Sequence, residues 1–152
     1  MLKMNIKRVS CLFLSATLLF SNSLGTTGIQ AKTTGNGKMI AIDAGHQSRA
    51  NLSTEPIGPG SSVRKAKVAG GASGIATHVA EYQLNLKIAK RLRRVLLARG
   101  YQVYMIRTSN NVNISNKQRA LMANKSGADI YIRIHADSST ATGVTGASSL
   151  YP

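Results

Sequence analysis

Met39-Ile40-Ala41-Ile42-Asp43-Ala44-Gly45-His46 opens the ordered part of this sequence with an apolar run, a tight turn and a histidine. So short a run, bounded by a glycine-containing turn, reads as a buried strand that delivers His46 at its carboxyl end. The pattern recurs at Ile130–Ile134, IYIRI, which is followed by His135-Ala136-Asp137. A third stretch rich in strand-forming residues lies between them, YQVYMIR over 101–107.

Helical signals fill the gaps. From about Val79 to Arg99, Leu84, Ile88, Leu92, Val95 and Leu96 recur at spacings of three and four, and the stripe they form is expected to face the core. Gly100 stands where a left-handed residue ends a helix. Ser115-Asn116-Lys117-Gln118 is a capping box opening a second helix that stops at Gly127. Strand, helix, strand, helix, strand is the order of an α/β fold, a twisted, mostly parallel sheet flanked by helices. From Gln47 to about Ile75, a stretch rich in Gly and Ser around Pro56 and Pro59, no periodicity survives and a long loop is expected. Loops of that length are more often functional than idle. Ala147–Tyr151 reads as the start of another strand.

In a parallel sheet the carboxyl ends of the strands share one edge, where α/β folds bind their ligands. His46 and His135 both fall there. The helix that follows the first strand begins at the same edge, with Glu81 in its first turn, where the helix dipole favours a carboxylate. Two histidines and a glutamate are a zinc donor set, and three protein ligands leave a fourth position for water, as in catalytic sites. His78 is the rival ligand. Asp43 and Asp137 are candidates to orient the histidines, with turn stabilisation as the plainer role for each.

Residues 1–31 read as a signal peptide. Lys3, Lys7 and Arg8 precede the apolar run Val9–Phe20, and a polar stretch ends at Ala31. That run is shorter than the ~20 residues of a stable membrane span. Residues 32–38 form a lead-in linker, and 39–152 the domain. Cys11, the only cysteine, lies in the leader, so neither a disulfide nor a thiolate metal site is expected of the mature chain. Without Lys3, Lys7 and Arg8 the formal charge of +15 becomes +12, a balance that favours polyanions. For an exported protein these are anionic wall polymers. With five Tyr and two Phe, and with basic residues scattered over Lys87, Lys90, Arg91, Arg93, Arg94, Arg64, Lys65 and Lys67, nucleic-acid binding is not expected.

The residues also carry a family resemblance. IDAGH (42–46), NLSTEPIGPGSS (51–62), EYQLNLKIAKRL (81–92), GYQVYMIRTS (100–109), NISNKQRALMANKSGADIYIRIHAD (113–137) and GVTGASSLYP (143–152) together resemble the zinc-dependent N-acetylmuramoyl-L-alanine amidases, bacterial cell-wall hydrolases of the autolysin and spore-cortex type. The resemblance implies one Zn2+ held by His46, Glu81 and His135. It also implies hydrolysis of the amide between N-acetylmuramic acid and the L-alanine of the stem peptide, by a secreted, monomeric protein acting on peptidoglycan in the cell wall. Arg107 and Arg119 match recurrent basic positions, for which structural ion pairing is expected ahead of sheet-edge or substrate contacts. The family continues into a strand bearing a general-base glutamate. By that measure the domain is expected to be incomplete, with that glutamate beyond Pro152. The alternative is a non-catalytic, cationic zinc- and wall-binding remnant.

Overall fold

The structure, a computed structural model, describes residues 37–141 and 143–150. The expected signal peptide (1–31) and most of the linker therefore lie outside the described residues. In chain order the elements are β1 (Met39–Ala44), β2 (Asn51–Pro56), β3 (Arg64–Val68), α1 (Glu81–Ala98), β4 (Gln102–Met105), α2 (Asn116–Lys125) and β5 (Ile130–Ile134).

β1 is the centre of a parallel three-stranded sheet in the order β4-β1-β5. Its register sets Ile42 beside Met105 on one side and Ile132 on the other. Successive side chains point to opposite faces of the sheet. Ile40, Ile42 and Ala44 meet Leu86 and Ala89 of α1, while Ala41 meets Ile106 and Ala123 of α2. A strand covered on both faces must be apolar almost throughout. The single charge in β1, Asp43, is fully buried and is matched by the equally buried Arg119 of α2.

The second helix starts as expected. The hydroxyl of Ser115 accepts from the Gln118 backbone, and the Gln118 side chain accepts from the Ser115 N–H. Gly100 follows α1 with φ of 81°.

Three expectations need correction. The first is the buried face of α1, which carries Glu81, Asn85, Leu86 and Ala89, with Leu92 and Leu96 packed against it. Leu84, Ile88 and Val95 are 38%, 40% and 45% exposed. Apolar residues lie on two sides of this helix. Asn85 and the small Ala89 mark the side that approaches β1, and an apolar count passes over both. Second, 47–75 is no simple loop. β2 and β3 form an antiparallel hairpin, irregular between Asn51 and Thr54. Only Glu55 and Val68 among the residues of its two strands are buried, so it lacks the apolar alternation that announces a strand. The backbone ladder holds it, together with Arg64, whose Nε donates to Thr54 Oγ1 at 3.0 Å. Third, residues 147–150 form no strand; among the described residues the sheet ends at β5, and nothing pairs with them.

Candidate metal centre

The ladder between β1 and β5 continues one residue past β1, where the Gly45 N–H donates to Ile134 O at 2.9 Å. Their next residues, His46 and His135, are thereby brought side by side, ring centroids 4.7 Å apart and planes at 87°. Glu81 is the first residue of α1 and projects between them. Its Oε2 lies 3.3 Å from His46 Nε2, and its Oε1 lies 3.0 Å from His135 Nδ1. One ligand atom from each of the three falls within 4.8 Å of the others. The edge geometry read from the strand ends thus assembles the expected trio. His78 is exposed and stands outside the group.

Each member is held by a neighbour. His46 Nδ1 pairs with Ala69 O at 2.8 Å. A carbonyl can only accept, so Nδ1 carries a proton and Nε2 is the nitrogen that faces Glu81. Burial favours the neutral form of Glu81. Against it, the backbone N–H groups of Ala72 and Ala136, the Asn85 amide and His135 bond to the carboxylate and hold its pKa at about 2. The group is an anion at any pH near neutral. Arg133 Nε donates to His135 Nε2 at 3.0 Å, so the ring proton sits on Nδ1, 3.0 Å from Glu81 Oε1, from where a metal ion would displace it. His46 itself has φ of 59°, a conformation that costs a non-glycine residue energy and is found most at functional positions.

Two glycines leave no room for anything else. A Cβ on Gly45 would lie 2.5 Å from His135 Cε1. On Gly71, with φ of +81°, it would lie 2.9 Å from both Glu81 Oε2 and His46 Cγ. Ala69, Gly71 and Ala72 follow the hairpin directly, so the expected loop becomes one wall of the site. The hairpin is in turn tied to the rest of the domain, because buried Glu55 accepts from the Lys117 N–H of α2 at 2.9 Å. Glu55 is thus a fixed residue and not part of a mobile loop.

The two arginines differ. Arg119 forms the expected ion pair with Asp43, and its Nη2 also donates to His46 O at 3.1 Å. Asp43 therefore acts on the site through Arg119 and touches neither histidine ring; its other oxygen accepts from Tyr131 at 2.7 Å. Among the described residues Arg107 has no carboxylate partner, so its role is the sheet-edge contact rather than the ion pair. Its guanidinium donates to Ala44 O, Gly45 O and Tyr82 O at 2.7, 3.1 and 2.8 Å, joining the end of β1 to the start of α1. Burial and the nearby Arg119 lower its pKa to about 10. Asp137 is exposed.

Sequence reasoning missed Asn85, Gly71, Arg133 and the Ala69 carbonyl. Asn85 alone had a signal, since it lies four residues after Glu81 on the same helix face. It is fully buried, its Nδ2 reaching Gly45 O and Glu81 Oε1 at 3.3 Å each, while its Oδ1 has no partner among the described residues. Two imidazoles and one carboxylate, with the His46 tautomer fixed and no space beside them for a Cβ, fit a zinc ion.

The chain has relatives among known proteins. The family model described as N-acetylmuramoyl-L-alanine amidase matches residues 40–152. The chain is 32% identical over 132 residues to the N-acetylmuramoyl-L-alanine amidase AmiA of Salmonella typhimurium, an alignment covering 87% of this chain and 38% of that protein. It spans well under half the length of the curated relatives it matches. Among solved structures it is similar to the amidase Ami1 of Mycobacterium smegmatis, with TM-score 0.64, 25% identity, and coverage of 70% of this chain and 50% of that one. An N-acetylmuramoyl-L-alanine amidase from Clostridium difficile 630 aligns at TM-score 0.51 and 31% identity, over 74% of this chain and 50% of that one.

Proposed function

The chain belongs to the N-acetylmuramoyl-L-alanine amidase family, and on that premise we propose that it binds one zinc ion through His46, Glu81 and His135 for hydrolysis of the amide between N-acetylmuramic acid and L-alanine in peptidoglycan. The observation that carries this reading is the convergence of the three ligand atoms within 4.8 Å. Its setting at the carboxyl edge of a parallel sheet, with His46 Nδ1 already committed to Ala69 O, supports it. Held by these three side chains, zinc would supply a water of lowered pKa, toward ~7, and a Lewis acid for the scissile carbonyl.

The remaining chemistry belongs to the chain. Glu81, kept ionised by four hydrogen bonds, supplies the anionic donor. Ala69 O sets which nitrogen of His46 points inward, and Arg133 holds the outer nitrogen of His135. Arg107 fixes the relative position of β1 and α1, and so of His46 and Glu81. Proton transfer is assigned to none of the five acids. Asp43 is committed to Arg119, Glu55 to α2 and Asp129 to Lys38. Glu81 is a ligand, and Asp137 does not join the group. We assign the polypeptide to the exported side of the membrane and to the cell wall, with residues 1–31 as its leader and 39–152 as the catalytic domain. No helix among the described residues is long and apolar enough to cross a membrane.

The test is to incubate the chain with purified peptidoglycan and zinc and to measure newly exposed L-alanine amino termini. Release that disappears in His46→Ala supports the reading. A chain that holds zinc and releases nothing contradicts it and favours the non-catalytic alternative.

A further inference from the structure

Lys87, Lys90, Arg91, Arg93 and Arg94 line a groove of about 920 Å³ between α1 and the edge strand β4. The residues that look scattered in the sequence are gathered here. Lys87 lies three and four residues before Lys90 and Arg91, which lie four and three before Arg94, so the four share one helix face. Along it a cation recurs with each turn of ~5.4 Å. All five are exposed, and among the described residues none takes part in an ion pair. Like charges at this spacing repel and destabilise a helix, a cost that a bound polyanion removes. Val103, Tyr104 and Met105 of β4 line the same groove and offer apolar contact between the cations. The lining shares no residue with the His46–Glu81–His135 group.

The geometry points to a second binding site: we propose that this groove holds a linear poly(alcohol phosphate), a flexible phosphodiester polymer without bases. Its spaced phosphates match a row of cations, and its carbon linkers match the apolar residues of β4. A single-stranded nucleic acid requires successive aromatic platforms on which its bases stack, and Tyr104 is the one aromatic residue in the lining. A bilayer surface is met by an apolar face that enters it, whereas these cations border a concavity. This site goes beyond the amidase reading and does not depend on it.

The test uses the full chain and a fluorescently labelled poly(glycerol phosphate), with anisotropy read across a sodium chloride series. If all five cations engage, log K falls against log salt with a slope of about −3.5, from ~0.7 per contact. Lys87→Gln/Arg91→Gln/Arg94→Gln reduces the slope to about −1.4 and weakens binding at low salt by about tenfold or more. Arg64→Gln/Lys65→Gln/Lys67→Gln removes the same charge from the hairpin and weakens it by less than about threefold. Equal losses in the two variants would overturn the proposal, because net charge alone would then account for binding. Equal affinity for single-stranded DNA of the same phosphate number overturns it too. So does tighter binding to phosphatidylglycerol vesicles that the groove variant abolishes. Circular dichroism checks that both triple variants are folded; should the groove triple unfold, Arg91→Gln/Arg94→Gln replaces it, with an expected slope of about −2.1.

Discussion

At the residue scale the site is a carboxylate clamped between two imidazoles, and its electrostatics have a pH signature. Glu81 is lowered from an ordinary value of 4.5 to about 2. A depressed carboxylate pKa contributes stability that is complete above the unfolded-state value and is lost as pH falls through the folded one. Metal-free protein should therefore lose stability between about pH 4.5 and 2, and Glu81→Gln should flatten that part of a melting-temperature profile. An unchanged profile would show that Glu81 is not held as described. Gly71→Ala should place a methyl against Glu81 Oε2 and His46, at a φ that alanine tolerates poorly. A destabilisation of about 1–3 kcal/mol in chemical denaturation is expected, with weaker zinc binding. His46, Glu81 and His135 were legible in the sequence because strand ends and a helix start fix where they emerge. Gly71 and the Ala69 carbonyl were not. They act through backbone placement and empty space, which residue identity does not encode at a distance.

At the scale of elements, the parallel strands and both helices could be read from apolar runs and from the capping box, whose chemistry is local. The buried face of α1 could not. Its apolar residues circle the helix, and the choice between sides is made by Asn85 and Ala89 meeting β1. The β2–β3 hairpin was illegible for a related reason: backbone pairing and Arg64 hold it, without a buried apolar stripe. Ser115→Ala should cost about 1 kcal/mol through loss of the cap of α2, measurable by urea denaturation with no change in bound metal. Arg119→Ala should cost more, about 3–5 kcal/mol, because it leaves Asp43 as an unpaired buried charge. It also removes the donor to His46 O, so zinc affinity should fall along with stability. Loss of stability with zinc affinity unchanged would confine Arg119 to the core.

Across the whole molecule, two sheet-edge histidines and one helix-start carboxylate come from three separate elements, so a metal ion bound by all three would couple to folding. A ligand that binds only the native state stabilises it by about 2.7 kcal/mol at a hundred times its dissociation constant. The melting temperature should accordingly rise with zinc and fall back on chelation. The family motifs carry the fold and the ligand trio, while the cationic groove emerges only when α1 is set beside β4. The most direct test of the central claim is a zinc titration against a competing chromophoric chelator, run on the native chain and on His46→Ala, Glu81→Ala and His135→Ala. One zinc per chain, with affinity lowered about a hundredfold or more in each variant, is the predicted result. No bound zinc, or zinc bound equally well by all three variants, would contradict the account.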